Sequence, residues 1–482
     1  LDEKFPTTCL TFGCEIASPA LNPIADQESK LINFQRITAE AAEHYRHGRM
    51  EEAMVCYRRA LVLRPECAEL ENNLGVTLEA QGHLEEAVSA FNLALRLKPE
   101  YAEARFNLGN VDWKRGNLQA AVESYRQVLA THPNHVEAHC NLGSILHDQG
   151  NFEAAQLCYE RALELQPDSA YAAWNRSLLQ LLQGDFAAGW RNFEARRRTQ
   201  SSPRHFPQPL WRGEPLNGAR ILLHAEQGLG DTIQFLRYLP MVQAAGGSVV
   251  LCLPTRLRRM ARLLPGLADL RVTGEPLPPF DCQIPLMSLP LVFGTNLENI
   301  PARAPYLNIP EDASRAASRL VWPATGLRVG IAWAGSPSHA KDRLRSMAFS
   351  FLLPLLRTKG VHFFSLQMGQ ASRQLSAAAG TVTDLAPFTS DLSDTAAQMA
   401  HLDLVITVDT SVAHMAGALA VPVWTLLGYA ADWRWLLHRD DSPWYPTMRL
   451  FRQPSLGAWH AVMEEVRTAL VARVADPVHI HR

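Results

Sequence analysis

The stretch Asp403–Leu427, DLVITVDTSVAHMAGALAVPVWTLL, reads as a strand, a polar turn, a helix and a proline-started strand. The turn carries Asp409, Thr410 and Ser411, with His414 one helical turn further on. Thr410 and Ser411 fall at the helix N-terminus, where unpaired N–H groups and the positive end of the dipole favour an anion. Helix capping and a packed histidine are the plain alternative for the same residues. A second loop, Gly335 to Ser346, follows the apolar strand at 328–334 and carries Lys341, Arg343 and Arg345. Lys341 and Arg345 can neutralise the same negative charge, or be ordinary surface cations. A third loop, Glu226-Gln227-Gly228-Leu229-Gly230-Asp231, follows the strand at 219–225. Gly228 and Gly230 let a ligand or another segment come close to the backbone at a strand's carboxyl edge. The pattern lacks the third glycine of a dinucleotide motif, and no acidic residue closes the next strand. Asp231 suits an N-cap for the following helix. Asp403 and Asp409 flank one strand with apolar residues between them, not the short acidic pair of a metal-bridged site, so no metal is expected. Asp409 reads as orienting its turn.

The elements behind these loops follow from the apolar pattern. Strand 219–225, a helix from Thr232 to about Ala245 and strand 248–253 form a βαβ opening, so a parallel sheet is expected. A linker near 311–326 separates this lobe from a second βα series, which ends in a helix with a packing face at Val462, Val466 and Leu470. Trp433, Trp435 and Trp444 read as core or hinge aromatics, with base stacking the alternative.

Ahead of these lobes the chain is periodic. Gly48, Gly82, Gly116, Gly150 and Gly184 recur every 34 residues, and 34 is the tetratricopeptide period. Each unit predicts two helices. The first carries Leu-Gly (Leu74-Gly75, Leu108-Gly109, Leu142-Gly143), and the second a small–aromatic–small face (Ala53, Tyr57, Ala60; Ala87, Phe91, Ala94; Ala155, Tyr159, Ala162). Proline ends each second helix. The first unit has Glu40-Ala41 in place of Leu-Gly and the fifth has Arg196 in place of a small residue, which suits capping units. Asn73, Asn107, Asn141 and Asn175 keep the period and would align along the inner wall. Their amides can grip an extended peptide, or satisfy the neighbouring repeat. Residues 1–33 lack periodicity and read as a loose arm. Arg191, Arg196, Arg197, Arg198, Arg204 and Arg212 read as a solvated helix end, with docking of an acidic partner the alternative. Ser201-Ser202-Pro203, Pro207 and Pro209 mark a boundary.

At 482 residues, with 47% apolar and 20% charged residues, the chain should hold two or three domains. The net charge of −2 argues against nucleic acid and bulk membrane attraction. The eight cysteines are scattered without a C-x-x-C pair, which suits reduced thiols in the cytoplasm. No apolar run approaches a spanning length. The opening Leu-Asp-Glu-Lys lacks a leader pattern and reads as a start cut from a longer chain.

The Asp409-Thr410-Ser411-x-x-His414-x-x-Gly417 element, together with Gly230-Asp231 after the first strand, resembles the heptosyltransferase signature of glycosyltransferase family 9. Ser411 stands where the heptosyltransferases of lipopolysaccharide carry glycine. The tail from Asp432 to Pro446 resembles bacterial proteins that fuse tetratricopeptide repeats to such a domain, and the asparagine column resembles that of O-linked N-acetylglucosamine transferases. The resemblance implies a GT-B fold, a nucleotide-sugar as substrate with no cofactor, inversion, and Asp231 as the base. Gly228, Gly230, Asp409, Thr410, Ser411, His414, Lys341 and Arg345 would then form the donor-phosphate site. The expected architecture is α plus α/β. Its parts are an arm (1–33), a solenoid (34–203), an acceptor-side lobe (213–310) and a donor-side lobe (327–475). The expected function is transfer of a sugar to a protein held on the repeats' concave face. The alternatives are a glycan or lipid-precursor transferase with repeats used for assembly, and a non-catalytic scaffold. The repeat edges also allow oligomers.

Overall fold

The computed structural model describes residues 23–199, 206–339 and 341–475; Cys9, Cys14, Ser201–Pro203 and Arg204 lie outside them. Ten helices make five antiparallel pairs: α1 (Pro23–Arg46), α2 (Met50–Leu63), α3 (Ala68–Ala80), α4 (Leu84–Leu97), α5 (Ala102–Arg115), α6 (Leu118–Thr131), α7 (Val136–Asp148), α8 (Phe152–Leu165), α9 (Ala170–Leu182) and α10 (Phe186–Phe193). The periodic glycines turn the chain between the helices of each pair at positive φ, from 73° at Gly48 to 88° at Gly184, where a side chain would be strained. The Leu-Gly glycines have a different task. A Cβ on Gly75 would lie 2.7 Å from the Phe91 ring, and one on Gly143 2.7 Å from Tyr159. The aromatic of each second helix therefore packs directly on the backbone of the first.

Helix α1 begins at Pro23, so the expected loose arm is helical over 23–33. Residues 30–33 are exposed, so that stretch offers no buried position for an apolar period to mark. The expected linker at 311–326 contains the helix Glu311–Ser318, whose Ala313 and Ala317 pack against Ala397.

Two parallel sheets follow the repeats. The first contains β1 (Arg220–His224), β2 (Ser248–Leu253), β3 (Leu267–Val272) and β4 (Cys282–Pro285) in the order β3-β2-β1-β4. The second contains β5 (Leu327–Ala332), β6 (Val361–Ser365), β7 (Val382–Asp384), β8 (Leu404–Val408), β9 (Val423–Leu427) and β10 (Met448–Arg452) in the order β10-β9-β8-β5-β6-β7. Every residue of β8 and β9 is buried, as expected for parallel strands covered on both faces.

The chain divides into two compact units between Ala138 and His139, within the fourth repeat and not at the 201–209 boundary. The cause is apolar. Leu181, Leu182, Phe186, Trp190 and Phe193 of the fifth repeat join one core with Ile221, Trp433 and Trp444. Trp190 meets Trp433 edge to face at 5.2 Å, and its indole N–H reaches the Thr295 carbonyl at 2.9 Å. Trp433, Trp435 and Trp444 are buried core residues.

Candidate functional site

In open parallel sheets, ligands bind beyond the strands' carboxyl ends where strand order reverses. The first sheet reverses at β1 and the second between β5 and β8. The loops at those ends are 225–231, 333–346 and 409–411, the three singled out from the sequence.

Gly228 caps the helix Leu229–Phe235, and its N–H donates to Asp231 Oδ2 at 2.9 Å. The other Asp231 oxygen is ion-paired with Arg434. The helix thus starts three residues earlier than expected, with Gly228 and not Asp231 at its N-cap; Asp231, its third residue, reaches back to the Gly228 N–H and gains a buried cation. One helix away, Thr410 caps Ser411–Ala418 by accepting from the Val412 N–H at 3.2 Å. The two helices meet at Gly230, where a Cβ would come 2.7 Å from His414 Cδ2. Gly230 is what admits the histidine ring. Gly230→Ala should therefore displace the ring and destabilise the fold by about 1–3 kcal/mol, read as a lower urea midpoint at unchanged slope.

His414 is 5% exposed, and its Nδ1 shares a hydrogen bond of 2.8 Å with the Tyr445 hydroxyl. Burial and the cations Arg434, Arg237 and Arg345 hold its pKa well below the ordinary value, so the ring is neutral at pH 7. It offers a polar edge and no charge. Arg345, whose Nε lies 3.4 Å from Asp342, acts on both Asp409 and His414. Gly335 makes room for it, since a Cβ there would sit 2.8 Å from Arg345 Nη2.

Lys341 departs from its expected phosphate role. Its ammonium is bound at 2.7 Å by Asp148 at the end of α7; the lysine's flexible stem reaches a buried carboxylate that its loop position did not reveal. Arg196 departs too, being fully buried and ion-paired with Glu226 and Glu194, not a solvated capping residue. Arg191, Arg198 and Arg212 are exposed.

Arg434 was not singled out from the sequence, yet it is the hub of the site. It is 7% exposed, bonds Asp432 at 2.7 Å, pairs with Asp231, and lies over the Trp433 ring at 4.5 Å. A cation between two tryptophans in the loop after β9 was the available signal. Asp409 accepts from the Trp435 indole N–H at 3.0 Å. Burial, then the Asp432 charge, push its pKa from 3.8 up to about 6. A carboxyl raised in the folded state binds its proton more tightly there than in the unfolded chain. Its ionised form therefore subtracts from stability, progressively as pH rises from about 4 to 6 and fully above. Asp409→Asn, which keeps an acceptor for Trp435, should raise the melting midpoint at pH 7.5, and the difference should vanish below pH 4.

The asparagine column is half-buried throughout. Asn107 Nδ2 donates to Asn72 at 2.9 Å and Asn175 Nδ2 to Ser144 at 3.1 Å. These two amides bond the preceding repeat, through its side chains, and keep their carbonyls for other partners.

Family models match both the helical repeats and most of the second parallel sheet. Tetratricopeptide repeat models match residues 38–102, 109–150 and 136–169. The model "Glycosyltransferase family 9 (heptosyltransferase)" matches 345–458, which spans Arg345, the 409–414 turn, Arg434 and Tyr445. This is a tetratricopeptide-repeat chain carrying a glycosyltransferase family 9 domain. Protein FlbA of Caulobacter vibrioides is 29% identical over 314 residues, covering 58% of this chain. The chain spans about half (52%) of that relative's length. Among solved structures, MamA of Desulfovibrio magneticus RS-1 aligns with 35% of this chain and 98% of its own at 20% identity and a TM-score of 0.32. PilF of Pseudomonas aeruginosa aligns with 36% of this chain and 79% of its own at 16% identity and a TM-score of 0.34. Among the described residues, no helix is long and apolar enough to cross a membrane.

Proposed function

We propose that this chain is an inverting, metal-independent glycosyltransferase of GT-B arrangement that moves a sugar from a nucleotide-sugar to a protein held by its repeats. The observation that carries the reading is the meeting of the 225–231 and 409–414 loops at Gly230 and His414. It brings a switch-point loop of each sheet to one place, and the family 9 match covers the second of them. The helix Ser411–Ala418 offers its first N–H groups to the donor diphosphate, and Arg345 supplies cationic charge. Asp231 is the base, oriented by Gly228 and Arg434; its remaining lone pairs take the acceptor proton. Asp409, shielded beneath the turn, shapes the loop. The amide carbonyls of Asn107 and Asn175 offer lone pairs to an acceptor peptide, on the column that Asn73 and Asn141 also share.

The test is incubation with a nucleotide-sugar panel in the presence of a chelator, with candidate acceptor proteins followed by intact mass and the anomer of the product by NMR. The reading expects a sugar added with inverted configuration and no loss on chelation. Transfer only to free glycans would instead favour repeats used for assembly, a reading supported by the donation of the Asn107 and Asn175 N–H groups to neighbouring repeats.

A further inference from the structure

Two buried charges on the last repeats end on loops of the candidate site. Asp148, the final residue of α7, is 1% exposed and takes Lys341 Nζ at 2.7 Å, with His147 Nδ1 at 3.5 Å. An acid at a helix C-terminus opposes the dipole, and burial opposes it again. Even so, Lys341 and His147 outweigh that burial and hold its pKa down to about 2. Arg196, just beyond α10, is fully buried; its Nη2 donates to Glu226 Oε2 and to Ser288 Oγ, both at 2.7 Å. Glu226 opens the 226–231 loop, which carries Gly228, Gly230 and Asp231. Lys341 sits in the 335–346 loop, which carries Arg345. The repeats thus reach the β1 loop with a cation and the β5 loop with an anion.

An ion pair with a buried member adds little net stability over apolar residues of the same volume; here each pair joins a repeat to one particular loop. At both places the partner is a loop at a switch point, and loops of this kind hold their shape only when something ties them down. A nearby contact shows how little slack the β5 loop has. A Cβ on Gly428 would strike the Leu344 carbonyl.

We propose that the last two repeats are a working part of the transfer site, with Asp148 and Arg196 as positioning residues that hold the donor-side and acceptor-side loops through Lys341 and Glu226. The proposal rests on the donor-site reading above for what the loops bind, and on the contacts alone for how they are held. It departs from a modular picture in which repeats only capture an acceptor.

The test uses the full chain with Asp148→Asn, Lys341→Met and the double variant, followed by hydrogen exchange without ligand and by titration with ADP, GDP, UDP and CDP. In Asp148→Asn, exchange over 341–346 should rise about tenfold while β5 and β8 keep their protection. Any nucleoside diphosphate that binds the wild type should bind about tenfold more weakly. Lys341→Met leaves the buried Asp148 without its cation, so the melting midpoint should fall there and recover in the double variant while the loop stays unprotected. A purely structural pair would behave otherwise, with exchange rising across the whole unit in the single variant and everything restored in the double. Unchanged loop protection in Asp148→Asn, or protection restored in the double variant, overturns the proposal. Absence of diphosphate binding by the wild type defeats the donor-site reading, and the exchange result still decides whether the repeats hold the loop.

Discussion

A chain starting at residue 206 is expected not to fold, whereas one starting near residue 134 should melt cooperatively. The difference lies in the fifth repeat. Phe186, Trp190 and Phe193 are each 2% exposed, and they pack on Trp433 and Trp444 of the segment after β9. Losing one such aromatic from a core costs about 3–5 kcal/mol, and a domain's whole stability is about 5–15 kcal/mol. Removing three at once, about 9–15 kcal/mol on that scale, together with the Arg196 partner of buried Glu226, is as large as that margin. Trp190→Ala alone should lower stability by about 3–5 kcal/mol, read from urea unfolding of the full chain. A sharp thermal transition in the 206–482 fragment would contradict this view of the core.

Arg434→Met should be the most damaging single change within the site, about 3–5 kcal/mol at neutral pH. The guanidinium lies among Asp231, Asp432 and Asp409, and methionine fills its stem volume but leaves those carboxylates facing one another. Without the cation, Asp409 loses one of the charges that lower its pKa and protonates even more readily in the fold. Part of the lost stability should therefore return as pH falls from 8 towards 5. Arg434→Lys should rescue little, because one ammonium cannot reproduce the fork that engages Gln234, Asp432 and Asp231 together. Equal destabilisation of Arg434→Met at pH 8 and pH 5 would show that packing, not charge, is what the arginine supplies.

The repeats were legible because their determinants are local and repeated: a turn glycine at positive φ, and a glycine beneath an aromatic sixteen residues on, as with Gly75 and Phe91. The parallel sheets were legible from continuous apolar runs, and the 409–414 turn from strand, cap and helix within a dozen residues. What was missed depends on partners distant in sequence. Nothing near Lys341 announces Asp148, and nothing near Arg434 announces Asp231; each pair is about 200 residues apart. Arg196 was misread for a related reason. A charge replacing a small residue normally marks a solvated end, but here Glu226 and Glu194 arrive to bury it. The helical residues 30–33 of α1 were hidden by their own exposure.

The most direct test of the donor-site account is calorimetric titration of nucleoside diphosphates into the wild type and into Ser411→Glu. Glutamate in the first turn suits the helix dipole, so the variant should fold as the wild type does while placing a negative charge where the diphosphate would sit. The account predicts saturable binding of at least one nucleoside diphosphate by the wild type, weakened by at least about tenfold in the variant. Binding of equal strength by both proteins would contradict it.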